Sequence, residues 1–129
     1  MILIDTSAWT DFFRGRDPLA RIVDDALAAN DAAVCGPVET ELRRGLLNER
    51  ERKRVLPLLS GCHWLSKPED LWTEAGDLGY RLRRRGIASK TLDLLIATYA
   101  MSYSAALLTS DKDFRIMQKT GVPLLLAPI

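Results

Sequence analysis

At 129 residues, 47% hydrophobic and 27% charged, the chain has the length and balance of one ordinary domain with a sizeable core, which excludes a disordered segment. No apolar run approaches the roughly 20 residues of a bilayer span, and the N-terminus shows no basic leader or small-residue cleavage site. Cys35 and Cys62 make no disulfide framework, so the expectation is a single domain over 1–129 in a reducing cytoplasm; a net charge of +1 selects no partner by itself.

Ile2-Leu3-Ile4 is apolar without alternation, the pattern of a strand buried on both faces of a parallel sheet. Asp5 ends it. A carboxylate there is expensive to bury unpaired, and ligands of open parallel sheets gather at strand carboxyl ends. Thr6 or Ser7 offers a hydroxyl N-cap for a short helix over 7–14, where Trp9, Phe12 and Phe13 fall at i, i+3 and i+4. Pro18 at N1 opens a helix from Leu19 to about Ala29, with Leu19, Ile22, Val23, Ala26 and Leu27 on one face. Ala32 to Cys35 reads as a second buried strand, stopped by Gly36-Pro37. Pro37 starts a helix through Arg44 with Gly45 as C-cap. Val38, Leu42 and Gly45 lie at i, i+4 and i+7; Glu41 shares that inward stripe, and Glu39 points elsewhere.

Leu46 to Leu59 continues mostly helical, with Pro57 expected to kink it or end it early. Cys62 to Leu65 reads as a third strand. Lys67-Pro68-Glu69-Asp70 opens a helix to about Arg85, with Leu71, Ala75, Leu78 and Leu82 buried. Its end carries Arg81, Arg83, Arg84 and Arg85, and Lys90 follows with no acid between. Leu92 to Tyr103 is strongly helical in pattern, with Asp93 in its first turn beside the apolar stripe. Ala105 to Thr109 is another buried strand, leading at once into Ser110-Asp111-Lys112-Asp113-Phe114. A short helix turns Phe114 and Met117 inward, and Leu124-Leu125-Leu126 is the last apolar strand. Strands alternating with helices predict an α/β fold, a mostly parallel central sheet with helices on both faces.

Four carboxylates occupy equivalent places: Asp5 after the first strand, Glu41 in the helix after the second, Asp93 at a helix start and Asp111 just past a strand, with Asp113 beside the last. Taken singly, Asp111 reads as an N-cap, Asp93 as a complement to a helix dipole and Asp113 as first-turn charge. Glu41 on an apolar stripe and Asp5 at the end of a buried strand resist such readings. Carboxylates brought together repel and raise one another's pKa, and a hard divalent cation relieves that; an all-oxygen shell suits Mg²⁺ or Mn²⁺. Such ions activate water and stabilise the leaving oxygen of a phosphodiester. In that scheme Asp5 and Asp93 are direct metal ligands, Asp111 is a further ligand or acts through a bound water, and Glu41 orients or deprotonates the attacking water. Thr6, Ser7 and Thr109 tune the shell by hydrogen bonds.

Four blocks carry a family resemblance: Ile2-Leu3-Ile4-Asp5-Thr6-Ser7, Glu41-Leu42-Arg43-Arg44-Gly45, Asp93-Leu94-Leu95-Ile96-Ala97, and Leu107-Leu108-Thr109-Ser110-Asp111-Lys112-Asp113-Phe114. In order and spacing the chain resembles the PIN-domain nucleases, specifically the VapC toxins of toxin–antitoxin pairs. The resemblance implies a three-layer PIN-like sandwich with a Mg²⁺- or Mn²⁺-dependent acidic pocket that cleaves RNA. It also implies a homodimer and a cognate VapB-like antitoxin that lies across the pocket. Asp5, Glu41, Asp93 and Asp111 take the family's acidic roles, and Asp113 a fifth metal-site place that varies among members. Lys90-Thr91-Leu92 departs from the smaller or more polar residues that many relatives carry there.

RNA needs cations for its phosphates, and Arg81, Arg84, Arg85 and Lys90, with Arg43 and Arg44, are the candidates. Trp9, Trp64 and Trp72 read as core or dimer contacts, and His63, the one histidine, as structural. Cys35 and Cys62 lack zinc spacing. Two other classes compete with the nuclease. One is a catalytically silent module whose acidic groove receives a basic peptide. The other is a phosphohydrolase or receiver-like domain, against which stands Ser7 where a second aspartate is wanted.

Overall fold

The computed structural model describes residues 1–129. Four strands, β1 (Ile2–Ile4), β2 (Ala32–Cys35), β3 (His63–Leu65) and β4 (Ala106–Leu108), form one sheet in the order β3-β2-β1-β4. Every pairing is parallel. Leu3, Ile4, Ala33, Cys35, Leu107 and Leu108 have no exposed surface, which is why these short runs are apolar without alternation. Between β1 and β2 lie α1 (Thr6–Phe13) and α2 (Leu19–Ala28); between β2 and β3, α3 (Gly36–Arg44) and α4 (Glu49–Ser60). Between β3 and β4 lie α5 (Leu71–Arg84) and α6 (Thr91–Ser102), and α7 (Lys112–Lys119) follows β4.

The chain steps from β1 to β2 to β3 in one direction and then crosses to the far side of β1 for β4. With right-handed crossovers, that reversal divides the helices between the two faces of the sheet. It also makes the β1–β4 boundary the switch point, where the connections leave in opposite directions and a crevice opens at the carboxyl ends. Asp5 and Asp111 follow those two strands.

Three expectations change. The helical stretch after Arg44 is interrupted at 45–48 and restarts at Glu49. Asn48 caps the new helix, its side chain accepting from the Glu51 N–H at 2.9 Å, while the Glu51 carboxylate accepts from Leu47 N–H at 2.8 Å. Pro57 does not end α4, which runs on to Ser60. Buried Val55 and Leu59 anchor the last turns on either side of the proline. The expected strand Leu124–Leu126 shrinks to one parallel bridge, Leu107 with Leu126, supported by bonds from Leu107 N–H to Leu125 and from Ala127 N–H to Leu107. Pro123 and Pro128 flank it and cannot donate to a ladder.

Trp9 is wholly buried, stacked on Phe13 with centroids 5.7 Å apart and edge-on to Phe12 at 6.0 Å. On the other side of the site, α5 approaches α6 so closely that a Cβ at Gly79 would lie 2.7 Å from Leu94 Cδ1. Leu94 is next to Asp93, so this contact sets where the first turn of α6 sits. Gly79→Val is expected to lower stability by about 1–3 kcal/mol through overpacking, read as a drop in melting temperature. An unchanged melt would mean that Leu94 swings aside freely.

Candidate active site

Asp5 is 4% exposed, at the end of β1. Its Oδ2 accepts from Ser7 Oγ and from Thr109 Oγ1, each at 2.8 Å. Each hydroxyl has one proton and both are given to Asp5, so the 3.1 Å approach of the two hydroxyl oxygens is a contact with no proton of its own. Both oxygens accept in turn from the loop after β4: Ser110 N–H to Ser7 Oγ and Asp111 N–H to Thr109 Oγ1, each 3.0 Å. Two relays therefore tie the Asp111 loop to Asp5. Burial raises the Asp5 pKa, and the hydroxyl bonds oppose that rise.

The structure corrects one local expectation here. Asp5 itself is the N-cap position of α1, without a side-chain cap bond, and neither Thr6 nor Ser7 caps the helix. Ser7 turns to Asp5, and Thr6 Oγ1 donates to Glu41 Oε1 at 2.9 Å. Charge-assisted bonds to carboxylates are stronger than a neutral cap, so the hydroxyls go to the acids. Glu41 is held half-buried in this way from α3, whereas Glu39 pairs with Arg43 at 3.8 Å. The helical phase that separated the two glutamates holds.

Asp111 is the N-cap of α7, its Oδ1 accepting from Asp113 N–H at 2.9 Å. Capping uses one oxygen of Asp111 and leaves the other over, in a residue that also lines the cavity shared with Asp5, Glu41 and Asp93. Oxygens of Asp93, Asp111 and Asp113 lie within 4.8 Å of one another. Asp93 Oδ2 is buried and has no partner. Its carboxyl is pushed up to about 6, first by burial and then by the negative charges of Asp111 and Asp5, with Lys90 pulling the other way. An orphaned, buried acceptor among like charges is the signature of a group that fits a cation. Asp5, Thr6, Ser7, Glu41, Asp93 and Asp111 wall one cavity of about 420 Å³, together with Lys90, Thr91 and Leu92.

A model of the PIN domain matches residues 2–119. The chain belongs to the PIN domain family. Its relatives include VapC ribonuclease Mb1587 of Mycobacterium bovis and Ribonuclease VapC11 of Mycobacterium tuberculosis, each 31% identical over 126 residues and covering 92% of both chains. Within the family it falls among the VapC proteins. The fold is shared with VapBC2 of Rickettsia felis, solved bound to a DNA fragment from their promoter (TM-score 0.77, 22% identity, 98% of each chain covered). It is shared equally with VapBC-1 of nontypeable Haemophilus influenzae (TM-score 0.77, 21% identity, 98% of this chain and 97% of that one).

In this PIN domain the basic residues divide. Lys90 is in the acidic wall; Arg81, Arg84 and Arg85 line a different depression that shares no residue with it. Arg43 and Arg44 are exposed on α3. Trp64 and Trp72 are 55% and 64% exposed, so only Trp9 of the three is core. His63 Nε2 donates to the Asn30 carbonyl at 2.7 Å, joining β3 to the turn before β2. Burial pushes the Cys35 and Cys62 thiols up to about 12 and about 11, which leaves neither a thiolate at neutral pH. The backbone N–H groups of Ser110 and Asp111 complete the two relays to Asp5, and no side-chain pattern announces them. Thr109→Val, which removes the donor to Asp5 and the acceptor of Asp111 N–H, is expected to cost about 1–3 kcal/mol. Thermal denaturation at neutral pH checks it, with Thr109→Ser expected to recover most of the loss.

Proposed function

We propose that this chain is a metal-dependent endoribonuclease, the toxin of a type II toxin–antitoxin pair. The observation that carries the reading is the meeting of Asp5, Glu41, Asp93 and Asp111 around one cavity, with a buried Asp93 oxygen left without a partner. The names of the VapC relatives support the ribonuclease part.

Asp5, Asp93, Asp111 and Asp113 are the residues that would hold Mg²⁺ or Mn²⁺. When bound, such an ion supplies positive charge to the attacking and leaving oxygens of a phosphodiester. Ser7 and Thr109 occupy Asp5 Oδ2 and leave Oδ1 without a side-chain partner. Thr6 fixes one oxygen of Glu41, so that the second can accept a proton from the attacking water. Lys90 offers the one cation of the cavity wall to a substrate phosphate.

The same acids would receive a basic side chain of a partner, and the solved VapBC complexes support a VapB-like antitoxin for this chain. A homodimer of the toxin completes the assembly we propose. The deciding test is cleavage of total RNA by the purified chain. Cutting is expected with added Mg²⁺ or Mn²⁺ and no cutting in excess EDTA, with restoration when the ion is returned. Undiminished cutting in EDTA would overturn the metal requirement. Absence of cutting under every condition, with tight antitoxin binding, would favour the silent binding module.

A further inference from the structure

We infer that the depression at the end of α5 binds RNA phosphates outside the acidic cavity and holds the strand that the cavity cuts; this rests on the ribonuclease reading above. The groove encloses about 500 Å³, and Arg81, Arg84 and Arg85 stand in its wall opposite the Thr120–Pro123 turn. No aspartate or glutamate lines it. Arg81 and Arg84 take part in none of the ion pairs of the chain. Arg85 donates to the Thr120 carbonyl, which pins its guanidinium in the wall.

A cation in the last turn of a helix complements the helix dipole, but the dipole does not call for three in one concavity. Gathered like charges raise the local potential, and a concave wall focuses it, so the site is tuned to an anion. Glu74 and Asp77 share Arg81 with a neighbouring depression, and the acids stop there. Tyr80 lies in the same wall, 63% exposed, and presents a ring on which a base can stack. Only four residues separate Arg85 from Lys90, so their Cα atoms, five steps along the chain, lie at most about 18 Å apart. Lys90 stands in the acidic cavity and makes no ion pair. The groove and the acidic cavity thus lie within reach of one RNA strand, and the exposed Tyr80 ring favours a nucleic acid, whose bases stack, over an acidic protein segment.

The test is the double variant Arg81→Gln with Arg84→Gln in the full chain, leaving Arg85 to hold Thr120. Binding to a single-stranded RNA of about 20 nucleotides, a length that covers typical single-strand sites, is followed by fluorescence anisotropy in EDTA across a salt series. Two lost phosphate contacts should make the log–log salt slope about 1.4 units shallower, at about 0.7 per phosphate. Replacing both arginines by lysine should restore most of that slope. An unchanged slope and affinity would overturn the proposal. So would binding of polyglutamate that the double variant loses while its RNA binding persists. If the wild type binds RNA through these arginines yet never cuts it, the ribonuclease reading fails and the groove stands. If it cuts RNA and the double variant binds normally, the reverse holds.

Discussion

Asp5→Asn is expected to reduce metal-dependent RNA cleavage by on the order of 10³-fold, the scale seen when one preorganised electrostatic contact is removed, without unfolding the protein. An asparagine Oδ1 can still accept from Ser7 and Thr109, so the two relays to the Asp111 loop survive. What changes is the other side of the group, where an NH₂ replaces the aspartate Oδ1, which has no side-chain partner, and a negative charge disappears. Burial already disfavours that charge, so the melting temperature of the metal-free variant should equal or exceed that of the wild type. Added Mn²⁺ should raise the melting temperature of the wild type and move the variant far less. Cleavage by the variant within tenfold of the wild type would remove Asp5 from the catalytic centre.

The second large effect concerns Asp93. Asp93→Asn is expected to stabilise the metal-free protein at neutral pH while it abolishes activity, the usual opposition between a functional site and stability. The folded Asp93 carboxyl titrates at about 6, against an unperturbed 3.8. A raised pKa means that the folded state holds the proton more tightly than the unfolded one. Below about pH 4 both states are protonated and the group has no effect. As pH rises through 6 the folded state must ionise against burial and against Asp111 and Asp5, and the penalty is then complete. Asparagine escapes it. The advantage of the variant should therefore be absent near pH 4 and full above pH 7, at about 1 kcal/mol once solvent screening of a half-buried group is allowed for. Melting curves of the two proteins from pH 4 to 8, in EDTA, measure it. A constant difference across that range would show that the Asp93 charge is not under strain.

Much of the fold could be read from local pattern. The unalternating apolar runs at 2–4, 32–35 and 106–108 are strands because they lie inside a parallel sheet, and burial leaves the same signature in every such run. Glu41 was separable from Glu39 because helical phase is local, and Val38 and Leu42 report it directly. The misreadings came where local preference competes with a distant contact. Pro57 stays helical because Val55 and Leu59 are buried around it. Leu124–Leu126 looks like a strand but has only the edge of β4 to pair with, between two prolines. Thr6 and Ser7 have the composition of caps, yet the helix starts at Thr6 with Asp5 in the cap place, and their hydroxyls bond to two carboxylates.

By itself the sequence determined where along its element each of Asp5, Glu41, Asp93 and Asp111 falls, since each position follows from the pattern of its own segment. Only the tertiary structure decided how they meet. The crossing of β4 to the far side of β1 brings Thr109 to Asp5, 104 residues apart, where its hydroxyl donates a hydrogen bond to Asp5 Oδ2. The same packing leaves Asp93 with an unanswered oxygen and sends Arg81, Arg84 and Arg85 to a groove of their own. Those arrangements depend on chain crossings and side-chain partners far apart in number, which no repeat of 3.6 or of 2 along the chain encodes.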